Sequence, residues 1–381
     1  MPPRYFVTLL LVCSSLLFVR ILNLFFRLEV QKTRHPEIEG LRGLLAWFVM
    51  LHHLCIWYFY LKYSRWEPPP FNLFSHFGNG AVAFFFMITA FLFTRKLMKG
   101  VNAGWRPFFV NRFLRLFPVY AFSVLLLFAL VMYLSGMRVQ VSAGRLTDQF
   151  LHWIGFTYLG APDMNGYKNT YLLNAGVAWS LRYEIMFYAL VPFLGLLFKE
   201  RAGWITLSSC LVLILLFFLK TAAVNSLLLL YFLAGILTAI GYGKLKNIRI
   251  IKSGWAAIIC CLLLFTGVVC CPSADNLLSV CLFSLVFGAI AGGNNLGGLL
   301  VARSTQVLGQ LSYSIYLLHG MVLFCVNQSR FGGKLPAGLG FEQYLLTGLT
   351  PAFLTVLLSF AAHKFIERPF MEWRVKMEIS E

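Results

Sequence analysis

Long apolar runs separated by short polar connections dominate the chain from one end to the other. A helix needs about 20 consecutive apolar residues to cross the hydrocarbon core of a bilayer. The pattern therefore predicts an all-α polytopic membrane protein, with one N-terminal helix followed by a ten-helix bundle. The predicted spans lie near 5–26, 43–62, 77–95, 116–134, 177–198, 203–219, 224–242, 254–271, 275–291, 306–327 and 343–364.

Composition supports a membrane protein and excludes an ordinary soluble domain. Of the 381 residues, 59% are hydrophobic and 12% are charged, whereas soluble domains carry about 25% charged residues. The nine cysteines lie almost entirely within apolar runs and show no CxxC spacing. We interpret them as small packing residues, and we expect neither a disulfide nor a metal site.

The formal net charge is +18. We interpret the placement of the basic residues as a sign of membrane topology and not of a nucleic-acid partner. When successive connections are assigned to alternate sides, twenty basic residues fall on one side and nine on the other. Cytoplasmic loops are enriched in Lys and Arg, so the richer side is predicted to be cytoplasmic. We expect a multi-pass protein of the bacterial cytoplasmic (inner) membrane, with its N-terminus outside and its C-terminus in the cytoplasm.

The first apolar segment is predicted to be a retained helix outside the main bundle. It lacks an A-x-A-like cleavage site, and basic residues follow it directly, unlike a signal peptide. A segment lying on the membrane surface is the alternative. The expected organisation is an extra N-terminal helix and linker over 1–34, a ten-helix domain over 35–371 and a cytoplasmic tail over 372–381.

The segment EGLRGLLAWFVMLHH, over 39–53, places ionisable side chains on a predicted span. Arg42 and His53 are eleven residues apart, so at about 100° per residue they share one helix face and lie about 16 Å apart along the axis. Ionisable groups at this depth are costly and usually line an internal site. His52 points about 100° away from His53, which makes His53 the better candidate.

Two further titratable groups fall at a similar depth on other predicted helices. Glu184 lies in WSLRYEIMFY and His319 lies in LGQLSYSIYLLHG. A neutral histidine hydrogen-bonded to a carboxylate is the usual general-base arrangement, so a site formed by His53, Glu184 and His319 is one interpretation. The alternative is that these groups only join helices through hydrogen bonds.

A basic stretch over 95–115 holds six basic residues and no acid. Arg112 and Arg115 lie three residues apart on one helix face, a spacing that allows both to bind one phosphate. Contacts to anionic lipid are the alternative. The longest connection, over 135–176, is rich in Trp and Tyr and suits a sugar or lipid headgroup, or an aromatic belt at the membrane interface.

Six segments resemble, in order, motifs of the membrane acyltransferase-3 family. IEGLRGLLAWFVMLHH is similar to its opening [LI]-[DE]-G-L-R-[GA] helix, with Arg42 and His53 in register. The chain departs from the pattern at Ala83, where many members carry an aspartate, and at Thr89 and Ala90, which replace Ser-Gly. The other five matching segments are AVAFFFMITAFLFTRKL, NRFLRLFPVY, WSLRYEIMFY, LGQLSYSIYLLHG and FIERPF.

The resemblance implies transfer of an acyl group, commonly acetyl, from cytoplasmic acyl-CoA to a hydroxyl of an extracytoplasmic glycan or lipid-linked sugar. We expect membrane lipid around the protein and no appended soluble esterase-like domain. A transporter or flippase of a lipid or glycan precursor is the alternative function. The predicted catalytic residues are His53, Glu184, His319 and Arg42, and the predicted donor-binding residues are Arg112, Arg115, Arg95 and Lys96.

Overall fold

The computed structural model describes residues 3–31, 33–99, 105–199 and 226–373. These residues form helices and connections, without a strand among them, as the apolar pattern predicts. The all-α class is therefore confirmed. The predicted span over 203–219 lies outside the described residues.

The α-helices in the described part of the chain are α1 (Pro3–Phe26), α2 (Pro36–Tyr63), α3 (Asn72–Ser75), α4 (Ala81–Met98), α5 (Trp105–Leu134), α6 (Ala143–Ile154), α7 (Trp179–Lys199), α8 (Ser226–Asn247), α9 (Gly254–Cys270), α10 (Leu277–Ala291), α11 (Arg303–Gln310), α12 (Ser312–Phe331), α13 (Phe341–Thr347) and α14 (Leu349–Ala362). Short 3₁₀ turns cover Thr170–Asn174, Arg249–Lys252 and Leu299–Val301. Turns of π-helix cover His76–Gly80 and His363–Glu367.

Within the ranges that the structure describes, six helical stretches are long and apolar enough to cross a membrane. The helices α11 and α12 make a seventh span if they are counted together across their 72° bend. The apolar helices α9 and α10 are shorter, with 17 and 15 residues. The structure supports a multi-pass membrane protein, while the ten-helix count stays a prediction. The six stretches are Phe6–Phe26, Pro36–Tyr63, Asn72–Met98, Trp105–Leu134, Leu227–Asn247 and Phe341–Trp373.

Helix α2 is the central element of the fold, and its sequence defines both of its ends. Pro36 occupies the first turn, where its missing N–H costs nothing, and two glutamates in that turn complement the helix dipole. At the other end Ser64 adopts a left-handed conformation with φ 57°, and its N–H donates to the Tyr60 carbonyl. The chain therefore turns sharply where α2 ends.

Helices α11 and α12 both pack closely against α2. A Cβ atom added at Gly43 would lie 2.6 Å from the Gly309 nitrogen, so glycine is needed for this approach. Ten residues after Gly43 and ten residues after Gly309, the side chains of His53 and His319 meet. Contacts between α2 and the α11–α12 pair therefore continue on both sides of the bend.

The N-terminal helix α1 packs against the bundle rather than standing apart from it. The Trp47 indole N–H donates to the Leu11 carbonyl at 3.2 Å. The Phe18 and Phe353 rings contact each other at a centroid distance of 5.5 Å. These contacts join α1 to α2 and α14. The side of the membrane on which the N-terminus lies stays a prediction.

One end of the bundle collects basic side chains, and we call it the basic end. His35, just before α2, contacts the rings of Phe91 on α4 and Tyr242 on α8. The Arg95 guanidinium lies 4.3 Å from the centre of the Tyr242 ring. Lys244 and other basic residues belong to the last turn of α8 at this end. The opposite end is the one at which α2 reaches Tyr63.

Candidate active site

A cavity of about 300 Å³ lies among α2, α4, α5, α7 and α12. Apolar side chains form much of its wall, and polar side chains converge on it from all five helices. This combination is typical of a ligand site. The polar lining residues are Arg42, Thr89, Lys96, Arg112, Arg115, Ser180, Glu184, Tyr188, Ser312, Tyr313 and Tyr316.

Cations outnumber acids in the lining of this cavity by four to one. The cations are contributed by α2, α4 and α5, which places their charges on three separate walls. Arg42 also pairs with Glu39 at 3.2 Å, one turn earlier on α2. The Arg112 guanidinium packs over the Phe93 ring at 4.8 Å from its centre. Such a surplus of positive charge in a largely apolar cavity favours a polyanionic ligand.

Glu184 is the carboxylate of the cavity lining, and it accepts a hydrogen bond from the Tyr188 hydroxyl. The two residues are four apart on α7 and therefore share one helix face. Tyr188 was not among the sequence-predicted site residues. The i to i+4 spacing in WSLRYEIMFY was the signal that would have found it.

Two serines contribute hydroxyls to the cavity wall in different ways. Ser180 Oγ lies 2.6 Å from the Tyr316 hydroxyl, which donates to the Val177 carbonyl at 3.0 Å. Ser312 Oγ is buried and has no hydrogen-bond partner among the described residues. Buried hydroxyls are nearly always satisfied, so Ser312 marks a point where a polar group of a ligand would be stabilised.

His53 and His319 form a buried pair between α2 and α12. His53 Nδ1 lies 3.0 Å from His319 Nε2, and the side chains are 8% and 0% exposed. His53 Nδ1 also lies 3.1 Å from the Val49 carbonyl, and His319 Nδ1 lies 2.9 Å from the Ile315 carbonyl. The hydrogen-bonded partner of His53 is therefore a second imidazole, where the sequence led us to expect a carboxylate.

The two carbonyl contacts determine the hydrogen positions when both rings are neutral. A carbonyl only accepts, so His319 Nδ1 carries hydrogen and His319 Nε2 carries a lone pair. His53 Nδ1 then donates both to the Val49 carbonyl and to His319 Nε2. The lone pair of His53 is consequently on Nε2. A general base needs such a lone pair, held in place by a hydrogen bond to the other ring nitrogen.

The histidine pair lies beside the cavity and is not part of its lining. Tyr316 links the two, because it lines the cavity and its ring lies 6.3 Å from that of His319. Arg42 and Glu184 line the cavity itself. The structure thus divides the four predicted catalytic residues into two neighbouring groups, and their chemical roles stay predictions.

The predicted donor-binding residues also fall into two groups. Lys96, Arg112 and Arg115 line the cavity, whereas Arg95 packs on Tyr242 at the basic end. Among residues 3–31, 33–99, 105–199 and 226–373, no group of three His, Cys, Asp or Glu side chains is arranged to hold a metal ion.

Comparison with known proteins agrees with the motifs found in the sequence. The family described as "Acyltransferase domain" matches residues 35–364. The chain belongs to the acyltransferase-3 family. ORF330 of Acidianus two-tailed virus, a protein named as an acetyltransferase, is 24% identical over 302 residues, which cover 76% of this chain and 84% of ORF330. No solved structure matches the chain.

Family membership and the apolar helices together establish an acyl-transferring membrane enzyme. The match spans the cavity and the histidine pair, from α2 to α14. The site described above therefore lies within the acyltransferase domain.

Proposed function

We propose that this protein is an integral membrane O-acyltransferase that moves an acyl group, expected to be acetyl, from acyl-CoA to a hydroxyl of an extracytoplasmic glycan or lipid-linked sugar. The observation that carries the proposal is the pairing of a cationic cavity with a neighbouring histidine pair. The basic end would face the cytoplasm, where acyl-CoA is found, and the opposite end would face the acceptor.

Acyl-CoA is a donor whose negative charge complements the positive charge of the cavity lining. Its diphosphate and ribose phosphate are polyanionic, and Lys96, Arg112 and Arg115 present three cations to one space. Arg112 and Arg115 suit phosphate because a guanidinium donates two parallel hydrogen bonds. Arg42, which also pairs with Glu39, adds a fourth cation from α2. The pantetheine arm would then contact Glu184, whose carboxylate accepts from amide N–H groups, and Ser312, whose hydroxyl has no described partner.

The thioester must travel from the cations toward the histidine pair. Arg42 and His53 are separated by about 16 Å along α2, a distance that the pantetheine arm would have to cover. Tyr316 and Ser180 stand between the cavity and His319. In the proposed donor complex the arm passes along this hydrogen-bonded pair, with the phosphates left at the basic end.

His53 acts as the general base in the proposed reaction. Its Nε2 takes the proton from the acceptor hydroxyl as the hydroxyl oxygen attacks the thioester carbonyl, and the C–S bond breaks to release CoA as its thiolate. The proton on Nε2 then passes to the thiolate sulfur, which restores neutral His53. His319 orients the ring through the Nδ1 hydrogen bond. General-base catalysis of this kind contributes about 10²- to 10⁴-fold to a rate.

Substitution of His53 provides the direct test. His53→Ala in purified protein in lipid nanodiscs, supplied with labelled acetyl-CoA, should lower the release of CoA by about 10²-fold or more while acetyl-CoA binding stays near the wild-type level. His152→Ala, in α6 of the long connection, is the matched control and should keep full activity. Full turnover by a folded His53→Ala variant would eliminate the proposed role.

A further inference from the structure

A tryptophan from outside the helices covers one face of α2 above His53. Trp66 lies in the connection between α2 and α3, and the left-handed turn at Ser64 directs that connection back toward the helix. The Trp66 indole is nearly parallel to the His53 ring, at 18° and a centroid distance of 6.2 Å. It also meets the Trp57 ring at 5.4 Å and the Tyr60 ring at 5.7 Å, both edge to face.

The spacing of these contacts shows that Trp66 follows a single helix face. His53, Trp57 and Tyr60 are separated by four and three residues, the spacing of side chains stacked along one side of a helix. Trp66 and Tyr60 are partly exposed, while His53 and Trp57 are buried. The Trp66 indole therefore covers the face of α2 that runs from His53 toward the opposite end of the bundle.

This aromatic cluster contains one polar group whose hydrogen bond is missing. Trp57 is 3% exposed, and its Nε1–H has no hydrogen-bond partner among the described residues. A buried N–H without an acceptor is uncommon in a native protein. Aromatic faces around a single unsatisfied donor suit a ligand with an apolar flat face and hydroxyl oxygens at its edge. A pyranose ring has this chemistry.

We propose that Trp66 and Trp57 form the acceptor subsite, and that the acceptor is recognised through a pyranose ring. This inference rests on the proposed acyl transfer. The ring stacks on the Trp66 indole with one hydroxyl directed at His53 Nε2, and Trp57 Nε1–H donates to a second ring hydroxyl. When no sugar is bound, the indole stays over His53 and restricts the entry of water, which would otherwise hydrolyse the thioester.

The test compares three acceptors in the same nanodisc preparation: octyl β-D-glucoside, 1-octanol and water. The two organic probes share the alkyl chain and differ in the pyranose ring. Trp66→Ala should lower transfer to octyl β-D-glucoside by about threefold to tenfold, the size expected for loss of one aromatic stack. Acetyl-CoA hydrolysis should rise, and transfer to 1-octanol should not fall.

Conservative variants separate recognition from folding. Trp57→Phe keeps the buried ring and removes only the N–H, so it should raise KM for octyl β-D-glucoside while leaving transfer to 1-octanol unchanged. Trp66→Phe should keep most of the activity because a ring stays in place. Trp255→Ala changes an exposed tryptophan on α9 and should match the wild type in all three reactions.

The outcomes distinguish this subsite from the acyl transfer on which it rests. Wild-type protein that hydrolyses acetyl-CoA but uses 1-octanol as well as octyl β-D-glucoside would overturn the pyranose assignment alone. So would a Trp66→Ala variant with wild-type transfer to the glucoside. Wild-type protein that neither binds acetyl-CoA nor releases CoA would overturn the proposed function, and the subsite with it.

Discussion

His53 Nδ1 lies 3.0 Å from His319 Nε2, and the two residues are 266 positions apart in the chain. The contact depends on the close packing of α2 against the α11–α12 pair ten residues earlier, at Gly43 and Gly309. Because both histidine Nδ1 atoms face carbonyl oxygens, the pair has one consistent arrangement of hydrogens in its neutral form. The base of the proposed reaction is thus oriented by a second imidazole.

Removal of the His319 acceptor should slow the chemical step without weakening the binding of the donor. We expect His319→Ala to lower kcat about tenfold, the equivalent of about 1.4 kcal/mol for one lost hydrogen bond. His319→Gln should keep more activity, since its amide oxygen can still accept from His53 Nδ1. Steady-state kinetics with varied acetyl-CoA measure both quantities, and an equal loss in the Gln and Ala variants would contradict the positioning role.

Loss of a cation from the cavity lining should weaken the binding of the donor. Arg112→Gln and Arg115→Gln should each raise KM for acetyl-CoA about tenfold, since hydrogen bonds to charged groups contribute about 1.5–3 kcal/mol. Turnover at saturating donor should change little. Arg95→Gln is the matched comparison: its guanidinium packs on Tyr242 outside the cavity lining, so we expect a small effect. A larger effect at Arg95 than at Arg112 would locate the phosphate site at the basic end instead.

Gly309→Ala should destabilise the protein strongly. The added Cβ would collide with backbone atoms of Glu39. Backbone atoms within a helix cannot move aside as the end of a flexible side chain can. Overpacking of this kind costs about 1–3 kcal/mol. The control is Gly288→Ala on α10, where a Cβ meets nothing within 4 Å and the gain in helix propensity is up to about 1 kcal/mol.

Thermal unfolding in nanodiscs, followed by far-ultraviolet circular dichroism, compares the two glycine variants. A midpoint for Gly309→Ala equal to or above that of Gly288→Ala would show that α2 and α11 do not require the close approach. Activity measured below both midpoints reports separately on the histidine pair, whose register depends on the same contact.

His35 should make the stability of the basic end sensitive to acid. Burial, followed by repulsion from Arg95 and Lys99, holds the pKa of the His35 imidazole below its ordinary value of 6.5. The unfolded chain therefore binds more protons than the folded protein between the two pKa values, and the free energy of unfolding decreases as the pH falls below 6.5. We expect the thermal midpoint to fall over this interval.

His35→Phe removes the titrating group and retains a ring against Phe91 and Tyr242. The variant should lose part of the acid dependence of the thermal midpoint. A pH profile identical to that of the wild type would show that His35 contributes nothing to it. His152→Phe serves as the control for a histidine in the long connection.

The sequence by itself determined the features that depend on local helix geometry. The length of the apolar runs indicated membrane-spanning helices, and the spacing of Arg42 and His53 placed them on one face of α2. The three-residue spacing of Arg112 and Arg115 predicted that the two arginines share one helix face. Such predictions need only the helical period of 3.6 residues per turn, which is a property of the backbone alone.

Only the tertiary structure decided how the helices rotate and pair. It joined His53 to His319, placed Glu184 in the cavity beside Tyr188, and separated Arg95 from the other donor-binding candidates. It also brought Trp66 back over His53, through a turn that no periodicity describes. These relationships depend on side-chain packing between distant segments, and in an apolar chain many helix faces satisfy the membrane equally well.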